Sequence, residues 1–247
     1  AHLNLGNILK DLGKLQDAEI STRKAIELNP NSADLHSNLG IILKDLGKLQ
    51  DAELSAHKAI ELKPDFANAH LNLGNILKGL DKLQDAEIST RKAIELNPNS
   101  ANAHFNLGLI LKDLGNLKEA ELSYRKAIEI KPDFSEAHSN LGLILSDLGN
   151  LKEAELSLRK AIEIKTDFVE AHSNLGNVLR GLCKLKDAES AQRKAIEINT
   201  DFAEAHYNLG NVLRDLGNFG DAINEFKQAL KLNNQISMSK TALIETK

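Results

Sequence analysis

Apolar residues recur along this chain at helical spacing, and the spacing breaks at regular points. Ala1, Leu5, Ile8, Leu9 and Leu12 follow the pattern of a helix with one buried face, and Gly13 stops it. A second apolar set, Leu15, Ala18, Ala25 and Ile26, runs on to Leu28, where Asn29-Pro30 ends it. The same pair of predicted helices then starts again. Residues 1–238 divide into seven units of 34 without insertion or deletion: 1–34, 35–68, 69–102, 103–136, 137–170, 171–204 and 205–238. All four prolines (Pro30, Pro64, Pro98, Pro132) share one register, and Gly6, Gly40, Gly74, Gly108, Gly142, Gly176 and Gly210 share another. A helix–turn–helix of this size cannot bury its apolar faces alone, so stacked copies must share a core. The expected fold is an all-α superhelical solenoid with residues 239–247 as a capping segment, and Ile236, Leu243 and Ile244 lie on one stripe of an expected short capping helix at this end.

Local signals sharpen the boundaries. Asn116 with Glu119 and Asn150 with Glu153 have the spacing of capping boxes before the second helices. Asp133 with Glu136 and Asp167 with Glu170 have it before the next first helices. The mid-unit glycine gives way to Asp81 and Cys183 in two units, and both gain a glycine two residues earlier (Gly79, Gly181). That pairing predicts a re-formed turn, because aspartate tolerates a left-handed backbone while cysteine does so poorly.

The period of 34 and the run Asn4-Leu5-Gly6…Leu9, Ala18, Ala25, Pro30 resemble the tetratricopeptide repeat. There are departures. The usually aromatic register of the second helix holds Thr22, Ala56, Thr90, Tyr124, Leu158, Gln192 and Phe226, and six units read Ala-Glu where an apolar residue is usual after alanine. The resemblance implies a right-handed superhelix whose first helices line a concave groove. It also implies that seven histidines at one register (His2 to His206) are packing residues.

Most groove registers vary from unit to unit. The Leu3 register reads Leu3, Ser37, Leu71, Phe105, Ser139, Ser173, Tyr207, and the next turn keeps amides only at Asn7, Asn75, Asn177 and Asn211. One register does not vary: Asn4, Asn38, Asn72, Asn106, Asn140, Asn174 and Asn208. A primary amide offers two donors and an acceptor, matching a peptide backbone without reading side chains. Helices about 8–10 Å apart meet an extended chain rising about 3.3 Å per residue at every third residue or so. Such a ladder is similar to the peptide-binding superhelix of the O-linked N-acetylglucosamine transferase family, as is the repeated Ala-His-Ser-Asn-Leu at 137–141 and 171–175. The alternative is that these amides only bridge adjacent first helices. Lys10, Lys44, Lys78, Lys112, Arg180 and Arg214 form a basic stripe beside Asp11, Asp45, Asp113, Asp147 and Asp215. It reads either as a self-neutralising surface or as a selector of ligand side chains. The expected partner is an extended peptide or protein segment.

Composition removes several classes. A net charge of -4 argues against a nucleic-acid scaffold, and no apolar run is long enough to span a bilayer. Cys183 alone excludes an intrachain disulfide and fits a reducing, cytoplasmic setting. Equivalent histidines on stacked units stand too far apart to share a metal, so no metal or other cofactor is expected. Nothing resembles a catalytic constellation. The chain reads as an interaction scaffold. Alternatively it is the substrate-recruiting arm of a larger enzyme such as a glycosyltransferase, or a structural spacer that self-associates end to end. Ile20, Leu54, Ile88, Leu122 and Leu156 make an outward apolar line on the second helices. It is either a second contact surface or buried by rotation of those helices.

Overall fold

The computed structural model describes residues 8–10 and 12–245, with side chains through residue 233. All regular structure among them is helical. Residues 8–10 are helical and precede α1 (Leu15–Leu28). Six helix pairs follow: α2 (Ala33–Asp45) with α3 (Leu49–Leu62), α4 (Ala67–Gly79) with α5 (Leu83–Leu96), and α6 (Ala101–Asp113) with α7 (Leu117–Ile130). Then come α8 (Ser135–Asp147) with α9 (Leu151–Ile164), α10 (Val169–Gly181) with α11 (Leu185–Ile198), and α12 (Ala203–Asp215) with α13 (Phe219–Glu245). The chain forms two compact bodies, Ala1–Ile130 and Lys131–Lys247. Within each, a first helix packs on its own second helix, on the preceding second helix and on the preceding first helix. This is a solenoid of helical hairpins. The last helix runs unbroken to Glu245, so residues 239–245 extend it rather than form a separate element. The expected stripe of Ile236, Leu243 and Ile244 lies beyond the described side chains.

The two helices of a repeat touch at the invariant glycine. A Cβ on Gly108 would stand 2.6 Å from the Tyr124 ring, one on Gly142 2.6 Å from Leu158, and one on Gly210 2.6 Å from Phe226. Gly74 and Gly176 meet Thr90 and Gln192 in the same way, whereas Gly40 faces the smaller Ala56. The variable register of the second helix is therefore a knob of changing size set into a constant hole, and Tyr124, Leu158 and Gln192 are fully buried there. Burying a side chain of the Leu class is worth about 1.5–3 kcal/mol, whereas the Tyr124 hydroxyl is buried without a hydrogen-bond partner, which offsets part of the gain there.

The mid-repeat turns keep one geometry. In the second repeat Gly47 N–H donates to Lys44 O and Lys48 N–H to Leu43 O, the paired bonds of a Schellman turn. Gly47 has the left-handed φ of 76° that this turn needs. Contrary to the expectation of a re-formed turn, Asp81 and Cys183 adopt it too, at φ 60° and 58°, with the same pair of bonds. Gly79 and Gly181 end their helices instead, against the side chains of Leu49 and Leu151. Packing between repeats holds the turn in place and overrides the preference of one residue.

Three of the four predicted capping boxes fail in detail. Asn150 is the N-cap of α9 but its side chain makes no capping bond. Before α8 and α10 the N-cap is Phe134 and Phe168, one residue past the aspartates. Lys131 and Lys165 stand over those rings at 4.8 and 5.0 Å, so a cation–π contact occupies the site. At the same register Ser32 and Ser100 do cap, accepting from Leu35 N–H and Ala103 N–H. The histidines tie the other end of this turn: Nε2 of His36, His70, His104, His138, His172 and His206 lies 2.9–3.1 Å from the carbonyl six residues earlier. Carbonyl oxygens only accept, so Nε2 carries the proton. These side chains are polar tethers as well as packing residues.

Charges join the repeats on the second-helix side. Lys48 bonds Glu19, Lys82 bonds Glu53 and Lys184 bonds Glu155, each 29 residues back at 2.7–2.8 Å. The Ala-Glu departure thus supplies the acceptor for the following repeat. The hydrogen bonds from Lys48 and Lys184 hold the Glu19 and Glu155 carboxyls below their ordinary range.

Three substitutions test these contacts. Cys183→Gly relieves a left-handed backbone and should stabilise by about 1 kcal/mol in urea unfolding, more than Asp81→Gly, because aspartate tolerates that region better. Gly108→Ala drives a methyl into the Tyr124 ring and should cost about 1–3 kcal/mol by the same measurement.

Candidate functional site

The exposed side of the first helices carries the candidate residues. Asn38, Asn72, Asn106, Asn140, Asn174 and Asn208 are all half-buried, whereas Asn4 and Asn7 lie outside the described residues. Asn72 Nδ2 donates to Ser37 Oγ at 3.0 Å and Asn208 Nδ2 to Ser173 Oγ at 3.2 Å, each reaching the preceding first helix. Asn140 Nδ2 turns along its own helix to Glu136 O at 2.9 Å. Bridging between first helices is thus present at two of the three described asparagines that follow a serine; Asn174, after Ser139, makes no such bond. Each of these bonds uses one amide proton and leaves Oδ1 and the second proton.

The second amide register behaves differently at each repeat. Asn75 is half-buried and Asn177 exposed. Asn177 Oδ1 accepts from Gln192 Nε2 at 3.2 Å. Asn211 is buried and donates to Tyr207 O.

The basic stripe is largely neutralised by its neighbours. Lys44 pairs with Asp45 at 3.3 Å and Lys78 with Asp113 of the next repeat at 2.9 Å. Arg180 Nε donates to Asp215, again one repeat on. Lys78 and Arg180 are the two cations followed by glycine instead of aspartate, so each takes the next repeat's carboxylate. Lys112 makes no ion pair among the described residues. The hydrogen bond from Arg180 is the main cause that holds the Asp215 carboxyl below its ordinary range.

The sequence did not reveal a coupling between groove and core. The Leu3 register packs over the knob 19 residues later. Phe105 and Tyr124 stack at 5.8 Å and Tyr207 and Phe226 at 5.7 Å. Ser173 donates to Gln192 Oε1 and accepts, through its carbonyl, from Gln192 Nε2. In these three repeats large sits on large and polar on polar, whereas the same offset pairs Leu71 with Thr90 and Ser139 with Leu158. Variation at this register therefore follows the core beneath it in three repeats, and an offset of 19 pairs those residues in the sequence.

On the opposite side Ile20, Leu54, Ile88, Leu122 and Leu156 are all well exposed, so rotation does not bury them. Among the described residues no three His, Cys, Asp or Glu side chains cluster as metal ligands would, and no helix is long and apolar enough to cross a membrane.

Profiles of the tetratricopeptide repeat match residues 1–32, 22–53, 67–100, 101–134, 123–155, 169–202 and 203–236. The chain belongs to the tetratricopeptide-repeat family. Its structure is similar to that of YrrB, described as a TPR protein with an unusual peptide-binding site, at 26% identity and a TM-score of 0.62 over 74% of this chain and 95% of that one. It is also similar to PilF of Pseudomonas aeruginosa, at 18% identity and a TM-score of 0.75 over 83% of this chain and 93% of that one. A third likeness is to a chain of the Cut9–Hcn1 hetero-tetramer of the APC/C, at 17% identity and a TM-score of 0.77, covering 91% of this chain and 44% of that one. No curated protein sequence matches the chain. The fold is that of a protein–protein interaction scaffold.

Because the folded Asp215 carboxyl titrates lower than the unfolded one, its contribution to stability is complete above the ordinary value of 3.8 and fades as pH falls through the lowered one. Arg180→Gln should return the Asp215 titration upward toward 3.8, read from its carboxyl carbon shift by NMR.

Proposed function

We propose that the chain holds an extended polypeptide through the asparagines of its first helices. The observation that carries this reading is the presence of the same amide, half-buried at the same register, in each of the six described repeats. Where Asn72 and Asn208 bridge to serine, the bond fixes the amide plane and leaves one donor and the acceptor oxygen for a ligand backbone. Asn106 follows a repeat whose serine register holds Leu71, which has no hydroxyl to offer, and is kept all the same. A purely bridging role does not account for that copy. Each body carries its own ladder, Asn38, Asn72 and Asn106 in the first and Asn140, Asn174 and Asn208 in the second. The resemblance to the glycosyltransferase superhelix and the peptide-binding site described for YrrB point the same way.

The neutralised stripe refines the ligand. With Lys44, Lys78 and Arg180 engaged by carboxylates, binding rests on backbone hydrogen bonds more than on charge, so added salt should weaken it little.

The test is capture from a library of extended peptides by the wild-type chain and by two triple variants: Asn38, Asn72 and Asn106 to Ala, and Asn140, Asn174 and Asn208 to Ala. Each variant should lose binding at least tenfold and keep its far-UV helicity, with a stability loss of about 1 kcal/mol per bridging bond removed. Undiminished peptide capture by both triple variants would refute the ladder. Loss of helicity would assign the amides to structure alone.

A further inference from the structure

One copy of the histidine register is left incomplete by its surroundings. In all six described copies Nε2 donates to the carbonyl six residues earlier, so Nδ1 must find a partner of its own. Four of these side chains are half-buried and open to solvent. Two are buried, His172 at 9% exposure and His206 at 8%. Glu225 completes His206, with Oε2 2.7 Å from Nδ1. The carbonyl and the carboxylate are both acceptors, so His206 and Glu225 share one proton between them. His172 Nδ1 has no partner among the described residues. Glu225 follows His206 by 19 residues, and the residue at that offset from His172 is Ala191.

A cavity of about 540 Å³ opens beside His172, lined by α9, α10 and α11. Two substitutions widen it. The five preceding repeats place leucine or isoleucine at the register of Ser190 and serine at that of Ala191. The equivalent cavity two repeats earlier, flanked by Leu122 and Ser123, is about 450 Å³.

Charge indicates what the cavity takes. Its lining includes Arg159, Glu163 and Asp187, which recur one repeat on as Arg193, Glu197 and Asp221. A carboxylate sits on the imidazole there, so these groups do not exclude one. The opposing charge in the cavity is Asp187, since Glu163 is engaged by Lys160 and Arg159 by Glu155. One position differs in sign: Lys194 lines the cavity where the next repeat has Gln228. The cavity thus has one cation more, and one carboxylate fewer, than the site Glu225 occupies. Lys194 is held only by an exposed pair with Glu197, which contributes little and exchanges easily.

We infer that this cavity binds a carboxylate on an aliphatic body. The carboxylate takes at His172 Nδ1 the place that Glu225 takes at His206, with Lys194 as its counter-charge, and the aliphatic part rests on Ile162, Leu175 and Leu179. One proton from solvent joins the pair, as it does at His206, and makes the hydrogen bond charge-assisted. The volume suits either a small free acid or an acidic side chain of a partner protein.

The test is titration of the full chain with hexanoate, 1-hexanol and acetyl-Leu-Glu-Leu amide, read from the ring nitrogen shifts of His172 and His206 by NMR. Hexanoate, the peptide or both should move His172 Nδ1 from the shift of a bare nitrogen to that of a protonated one and leave His206 unchanged. A ligand this small should bind with a Kd of about 1 mM. A response to hexanoate alone names a free acid, and a response to the peptide alone names an acidic segment. Ala191→Glu builds the missing carboxylate into the chain, so its His172 Nδ1 should be protonated without any probe and neither probe should act. Lys194→Glu, an exposed change that keeps the test open if Ala191→Glu fails to fold, should weaken binding about fivefold. The inference is overturned by a His172 Nδ1 that neither acid moves, by a probe effect that survives Ala191→Glu, by unaltered affinity in Lys194→Glu, or by equal binding of 1-hexanol.

Discussion

A glycine backbone pressed against a side chain of the following helix sets how near the two helices of a repeat can lie, and the stacked layers inherit that distance. At Gly108, Gly142 and Gly210 even one methyl group would fall 2.6 Å from the facing side chain. Close-packed interiors absorb such an intrusion only by moving a backbone or forcing a rotamer. Because the hole is constant, the knob can change from alanine at 56 to tyrosine at 124 while the helices keep their places. The residue above the knob then adjusts: Phe105 over Tyr124, Tyr207 over Phe226, Ser173 around Gln192. At these three repeats what looks like a variable ligand face is thus the outer layer of a variable core. The asparagines stand apart from this exchange, since their register stays the same while the knobs change.

Neighbouring repeats are joined by contacts of fixed sequence offset. Lysine reaches glutamate 29 residues back; lysine or arginine reaches aspartate 35 residues on; asparagine reaches serine 35 residues back. Each offset is one period plus or minus the few residues that separate two sites on facing helices. Stability in such an array is close to a sum of repeats and nearest-neighbour joints. The individual ion pairs are partly exposed and contribute modestly. Apolar joints contribute most of the energy, and the charges align them.

Much of this architecture is legible in the order of residues alone. A period of 34 without insertions, paired helical patterns and registered glycine and proline specify the hairpin, the stacking and the family, since only one architecture satisfies all of them at once. The details that are not legible share a cause: they depend on a balance between a local preference and a neighbour that the sequence does not place. Cys183 belongs in no left-handed turn by its own preference, yet the paired Schellman bonds hold it there. Asp133 and Asp167 have the capping spacing, but the phenylalanine after each one, under a lysine, takes the position. The histidine register looks like a packing position because its partner is a backbone carbonyl, which carries no residue identity to read. The ladder itself is visible as identity at one register, but its bridges to Ser37 and Ser173 are only one of two readings the sequence allows.

Those bridges bear on how an amide ladder works. A free asparagine in a groove must lose side-chain entropy when it grips a backbone, and that loss subtracts from each hydrogen bond it makes. An asparagine already tied to the neighbouring repeat has lost it on folding. Asn72 and Asn208 are in that state, and Asn140 is tied to its own helix. The apparent conflict between a structural and a ligand-binding role then dissolves. The bond that uses one proton orients the remaining donor and acceptor, so under the proposed reading the structural contact is what would prepare the amide for a ligand backbone.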